Sequence, residues 1–211
     1  MTWLPSRSGR PIELLAPRVD EVDFAELAHA LAHLNRSSGN PPVPVSVGLH
    51  TLVGCDLAPE ALRPWWLLHD AHEARTGEVT SPAKEALAAI ARELAGERGA
   101  GFLAEVRHEF EARHDAAIHA AAGLPLPTDA QKSALKRIDL AALATERRDF
   151  YGPQQRAWCI DAAGIAPGKR VWRWRAPDKV ADELLALFRA YLPALAGAAL
   201  AGRAALAAAR P

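Results

Sequence analysis

The sequence predicts an all-α protein: a single compact helical bundle with an irregular N-terminal flap and a short C-terminal extension. Three observations carry this expectation. Apolar residues recur at three- and four-residue spacing through most segments that lie between glycine and proline stops. Period-two alternation is confined to one short stretch, "VWRWR". The 211-residue chain, half hydrophobic, holds no linker-like stretch that would divide it, so residues 1–193 are read as one domain and 194–211 as an alanine-rich tail.

Taken in order, residues 1 to 19 carry Pro5, Gly9, Pro11 and Pro17, a composition for turns and short extended pieces. From Asp23, a suitable N-cap, Phe24, Leu27, Ala28, Leu31 and Leu34 mark a first helix over about residues 23 to 35, stopped by "NRSSGNPPVPV". Ser46 caps a second, largely buried helix through "VGLHTLVGC". "APEALRPWWLLHDAHEAR" reads as a third, with Pro64 at its start or at a kink. "SPAKEALAAIARELAGE" and "GFLAEVRHEFEARHDAAIHAAAG" read as two more, the second ending at Gly123. After "LPLPT", a long helix runs to Gly152; "KRVWRWRAP" is a short strand or extended loop, and a final helix spans Asp178 to about Tyr191. The tail is rich in alanine and is assigned no function.

Lysine and arginine number 25, as do aspartate and glutamate, so no overall positive field would hold the chain to a nucleic acid or an anionic membrane. Cys55 and Cys159 have neither the number of a disulfide framework nor the spacing of a metal knuckle. The first residues lack a basic segment followed by an apolar one, and Arg203 interrupts the longest alanine-rich run. A cytoplasmic protein is the expectation.

The chemistry concentrates in "LLHDAHEARTGEVTSP", residues 67 to 82. On an α-helix successive residues turn by about 100°, so His69, Asp70 and Glu73 would share one face. That face continues the apolar run Trp65 to Leu68, where an unpaired carboxylate costs several kcal/mol. A divalent cation would meet that requirement; two solvated helix-end residues would also explain the pair. His50, in "VSVGLHTLV", and Asp139, in "SALKRIDLAALA", stand on apolar faces of other helices. Two imidazoles and two carboxylates form a nitrogen and oxygen set that suits one Mn2+, Co2+, Fe2+, Ni2+ or Zn2+ ion.

The succession His50, "HD" at 69 and 70, and a distant Asp139 resembles the signature of HD-domain metal-dependent phosphohydrolases. "LLHDAHEARTGEVTSPAK", "ALAHLNRSSGN" and "RIDLAALATERRDF" are similar to segments of the branch containing bacterial 5'-deoxynucleotidases and phage deoxynucleoside triphosphohydrolases. The likeness spans about residues 23 to 152. It implies a single divalent metal held by His50, His69, Asp70 and Asp139, with Glu73 as acid/base beside Asp70 and with Arg36, at the end of the first helix, on the phosphate. Lys84 is a candidate second phosphate contact and Thr76 a candidate hydroxyl donor, although a loop or helix-start role explains Thr76 better. The chain departs from the branch at Ser37, at Asn40 and at Gly48-Leu49, positions expected near the nucleotide pocket.

Other candidates have plainer explanations. His29 and His33 stand four residues apart, a spacing able to bind zinc, yet they point away from the Leu27, Leu31 and Leu34 stripe and read as a solvated face. His114-Asp115 lacks an acidic residue three positions on and reads as structural. Trp65 and Trp66 are expected in the core, and so are Trp172 and Trp174, in preference to base stacking.

The expected activity is metal-dependent hydrolysis of a small nucleotide, with a deoxynucleoside monophosphate first and release of triphosphate from a deoxynucleoside triphosphate as the alternative. A non-catalytic helical domain that keeps the metal residues for stability is the outsider. A symmetric homodimer is expected on the frequency of such assemblies alone.

Overall fold

The computed structural model describes residues 2–153 and 156–197; most of the alanine-rich tail lies outside them. The N-terminal flap is a two-stranded antiparallel hairpin, β1 (Trp3–Pro5) and β2 (Pro11–Glu13), in which Leu4 faces Ile12. All other regular structure is helical: α1 (Phe24–His33), α2 (Val47–Leu57), α3 (Arg63–Leu68), α4 (Glu73–Thr76), α5 (Ser81–Ala122), α6 (Asp129–Phe150), α7 (Cys159–Ala162) and α8 (Pro177–Tyr191). Among the described residues no helix is long and apolar enough to cross a membrane.

Caps set most of the boundaries. Asp23 accepts hydrogen bonds from the backbone N–H groups of Ala25 and Glu26, and Ser46 accepts one from Leu49. Thr128 and Gln131 close a reciprocal box at the start of α6. Gly123 ends α5 in the left-handed region at φ 66°. The two helices expected over residues 81–122 are one segment broken at Ala95 and Gly96, whose φ of 67° suits glycine.

α2 lies at the centre, packed against α1, α6 and α8, and every residue from Val47 to Cys55 is buried. A helix that is apolar all round has no solvent face to spare. Gly48 lets its neighbours in: a Cβ there would stand 2.9 Å from Val180 on α8 and 3.1 Å from the Ala32 backbone on α1. Gly48 and Leu49 therefore serve the core, and the expectation that they border the pocket is corrected on that ground. Gly54 makes room in the same way for the Trp66 ring, which a Cβ would meet at 1.8 Å.

Two expectations about elements change. "KRVWRWRAP" is an extended loop without strand pairing; Trp172 is buried between the Arg170 and Arg175 guanidinium groups, but Trp174 is 50% exposed and does not pack as expected. The third helix is also not continuous. α3 stops at Leu68, and residues 69–72 wind through turns into α4.

Candidate metal centre

In the break between α3 and α4 the backbone tightens. Hydrogen bonds run three residues back, from His69 to Trp66 (3.2 Å), Ala71 to Leu68 (3.1 Å), and Glu73 to Asp70 (3.1 Å). Such winding eclipses side chains at i and i+3. Trp66 consequently stacks on His69 with ring centroids 3.7 Å apart, and Asp70 and Glu73 come to one side. The expected α-helical arc is replaced by this tighter turn, whose consequence is a clamped imidazole. His69 Nδ1 lies 2.6 Å from the Trp66 carbonyl, and Trp66 itself donates from Nε1 to the Thr51 carbonyl on α2 at 2.8 Å.

His50 is fixed from α6. Asp139 and Glu146 stand two turns apart on one face of that helix, with the buried Ala142 between them leaving space for α2. Glu146 Oε1 is 2.5 Å from His50 Nδ1, while Asp139 Oδ1 is 3.4 Å from His50 Nε2. Each Nδ1 thus faces an oxygen acceptor and is placed to donate to it, while the Nε2 atoms of His50 and His69 face each other at 3.3 Å. Two ring nitrogens at that distance need a proton or a cation between them. Burial and the Arg36 charge oppose protonation of His50, but Glu146 and Asp139 outweigh them and push its pKa up to about 9.

His50, His69 and Asp139 each offer one ligand atom within 4.8 Å of the others and could hold a metal ion. Asp70 Oδ2 adds a further oxygen, 3.1 Å from His69 Nε2 and 3.8 Å from His50 Nε2. Burial raises the Asp70 pKa, yet His69, His50 and Arg36 hold it well below the usual carboxylate range. Asp139 is likewise held down, against burial, by His50, His69 and Lys136, whose ammonium grips the second carboxylate oxygen at 2.8 Å. The Nε2 pair with its carboxylates matches the donor set of a borderline divalent ion, and the acceptors behind each Nδ1 are the groups that fix a ligating imidazole.

Glu73 is buried, and its Oε2 has no hydrogen-bond partner among the described residues. Burial, and next the Asp70 charge, push its pKa up to about 8. An acid held near neutrality beside a cation site suits proton transfer. Arg36 is not a solvated helix-end residue: it follows α1 in a 3-10 turn, and its side chain is 15% exposed between Asp70 Oδ2 at 3.6 Å and Glu146 Oε2 at 3.4 Å. Pairing of residues 34–36 with 45–47 sets it there, through Arg36 N–H to Val45 (2.8 Å) and Val47 N–H to Leu34 (2.8 Å). The next residues, Ser37 and Ser38, adopt φ of 53° and 52°, left-handed geometry that is costly for a side-chain-bearing residue. Ser37 Oγ shares a 2.8 Å hydrogen bond with the Tyr151 hydroxyl.

Two expected substrate residues are occupied elsewhere. Thr76 Oγ1 donates to the carbonyl of His72, the residue that precedes its own helix, at 3.2 Å, and Lys84 pairs with Glu111 at 3.8 Å. Sequence reasoning missed Glu146, although it falls seven residues after Asp139 on the same buried stripe as Ala142. It also missed the linkage of His72 to Asp115 at 3.0 Å, which gives the second His-Asp pair its structural part.

No family model matches the chain. It is similar to an uncharacterized protein of Rhodobacter capsulatus, 29% identical over 160 residues that make up 71% of this chain and 74% of the relative. It is also similar to the uncharacterized protein YfdR of Escherichia coli, 27% identical over 150 residues, 71% of this chain and 73% of the relative.

Proposed function

We propose that the chain is a divalent-metal-dependent phosphohydrolase of the HD type, acting first on deoxynucleoside monophosphates. One observation carries the reading: two imidazoles, each anchored at Nδ1, turn their Nε2 atoms towards one point bordered by Asp139 and Asp70, beside a carboxyl group with a pKa near 8. A bound divalent cation would supply Lewis acidity, polarising a phosphoryl oxygen and bringing water closer to ionisation. His50, His69, Asp70 and Asp139 would hold it. Glu73, protonated or ionised near pH 8, exchanges a proton with the water or with the leaving ester oxygen. Arg36 presents a planar donor fork to the phosphate, and its carboxylate partners keep it oriented before substrate arrives. Glu146 keeps His50 in the tautomer that ligates.

The charge inventory favours a monophosphate. Arg36 is shared by two carboxylates and Lys84 is paired with Glu111, so little positive charge is left for the larger charge of a triphosphate. The test is a product assay on protein loaded with Mn2+ or Co2+. Inorganic phosphate from a deoxynucleoside monophosphate supports the proposal, triphosphate from a deoxynucleoside triphosphate moves the assignment to the alternative, and no turnover of any nucleotide leaves the non-catalytic reading. Glu73→Ala is expected to lower turnover at least ~100-fold while the metal content by elemental analysis stays unchanged. Loss of metal together with activity would place Glu73 among the ligands instead.

A further inference from the structure

A second cluster of ligating side chains lies on the surface, on elements that contribute nothing to the buried centre. α1 and α8 run antiparallel: Phe24 at the start of α1 meets Phe188 near the end of α8 edge to face at 5.6 Å, and His29 and His33 towards the other end of α1 meet Asp178 in the first turn of α8. One ligand atom from each of these three residues lies within 4.8 Å of the other two. The imidazoles face each other with ring centroids 4.2 Å apart.

The tautomers and charges suit a cation. His33 Nδ1 donates to the His29 carbonyl one turn back at 2.8 Å, which leaves the His33 Nε2 lone pair free. The Asp178 carboxylate makes no hydrogen bond or ion pair among the described residues. Behind the cluster, Val180 and Ala32 converge on Gly48, so the two helices are held in register by the core rather than by the ligands themselves.

We propose that His29, His33 and Asp178 form a second divalent-metal site, taking a borderline transition ion such as Zn2+ with water in the remaining positions and tying α1 to the start of α8. Two nitrogen ligands exclude a preference for Mg2+ or Ca2+. Arg7 Nη1 donates to His29 Nδ1 at 3.3 Å, a contact that must open whichever nitrogen binds, and Arg7 is exposed and free to swing away. The site stands three residues before Arg36, so an ion here would also stiffen the segment that carries that arginine.

Equilibrium dialysis of the full chain against low-micromolar free Zn2+ near neutral pH, read by elemental analysis, tests the site independently of catalysis. Loss of one equivalent in both His33→Ala and Asp178→Ala, with His50→Ala removing a different one, is the expected result. If the wild type binds one equivalent that both surface variants abolish and His50→Ala keeps, the surface site stands and the buried centre fails. Zinc content unaffected by His33→Ala, or sensitive to His33 but indifferent to Asp178, overturns the proposal. Arg7→Ala is expected to tighten the surface equivalent and to leave the buried one unchanged.

Discussion

Glu146 shows how one buried carboxylate organises its neighbours. Its Oε1 accepts a hydrogen bond from His50 Nδ1 and its Oε2 pairs with Arg36, so it holds a candidate ligand and a candidate phosphate-binding residue at once. Glu146→Gln is expected to weaken metal binding by about 10- to 100-fold, because the amide can present its NH2 group to Nδ1 and favour the wrong tautomer. A competition titration with a chelator checks this, and unchanged affinity would reduce Glu146 to a partner of Arg36. The "HD" pair, His50 and Asp139 were legible in the sequence because an ionisable residue inside an apolar stripe needs an excuse. Glu146 was missed, although its seven-residue spacing from Asp139 carries the same kind of signal. The convergence of His29 and His33 on Asp178 was not, since nothing local in either segment encodes contact between residues about 145 positions apart.

At the scale of elements, the caps and stops placed α1, α2, α6 and α8 close to where periodicity expected them, because those signals are local. The break at residues 69–72 escaped, since the same residues are compatible with a continuous helix and only the docking of Trp66 against α2 selects the tighter winding. That docking depends on the missing side chain at Gly54. Gly54→Ala is expected to force the Trp66 ring aside, at a cost of about 1–3 kcal/mol or more, and to disturb the stacked His69 with it. Chemical denaturation together with metal titration separates the two effects. A variant that loses stability but binds metal as before would show that His69 does not need the stack.

For the molecule as a whole, the flap is pinned to α5 through His114, whose Nε2 donates to the Leu14 carbonyl at 3.1 Å, and through Arg113, which donates to the Leu15 carbonyl at 3.0 Å. Burial, and next the Arg75 charge, push the His114 pKa down to about 4. The unfolded chain, with a histidine pKa of about 6.5, therefore takes up that proton first. Stability from this residue is intact above about pH 6.5 and is lost as pH falls towards 4, at no more than about 1.4 kcal/mol per pH unit. Glu73, with its pKa raised to about 8, gains stability over the same fall in pH, so His114 is read by difference: the wild-type urea midpoint is expected to fall relative to that of His114→Gln, a neutral donor, as pH drops through the window, and a constant difference would absolve His114. The enclosure of α2 imposes an order on how such a chain matures. His50 cannot meet Asp139 and His69 until α2 is wrapped by its neighbours, so a half-collapsed intermediate has no competent chelate to offer. Any ion taken up at the buried centre would therefore enter only once α2 is enclosed.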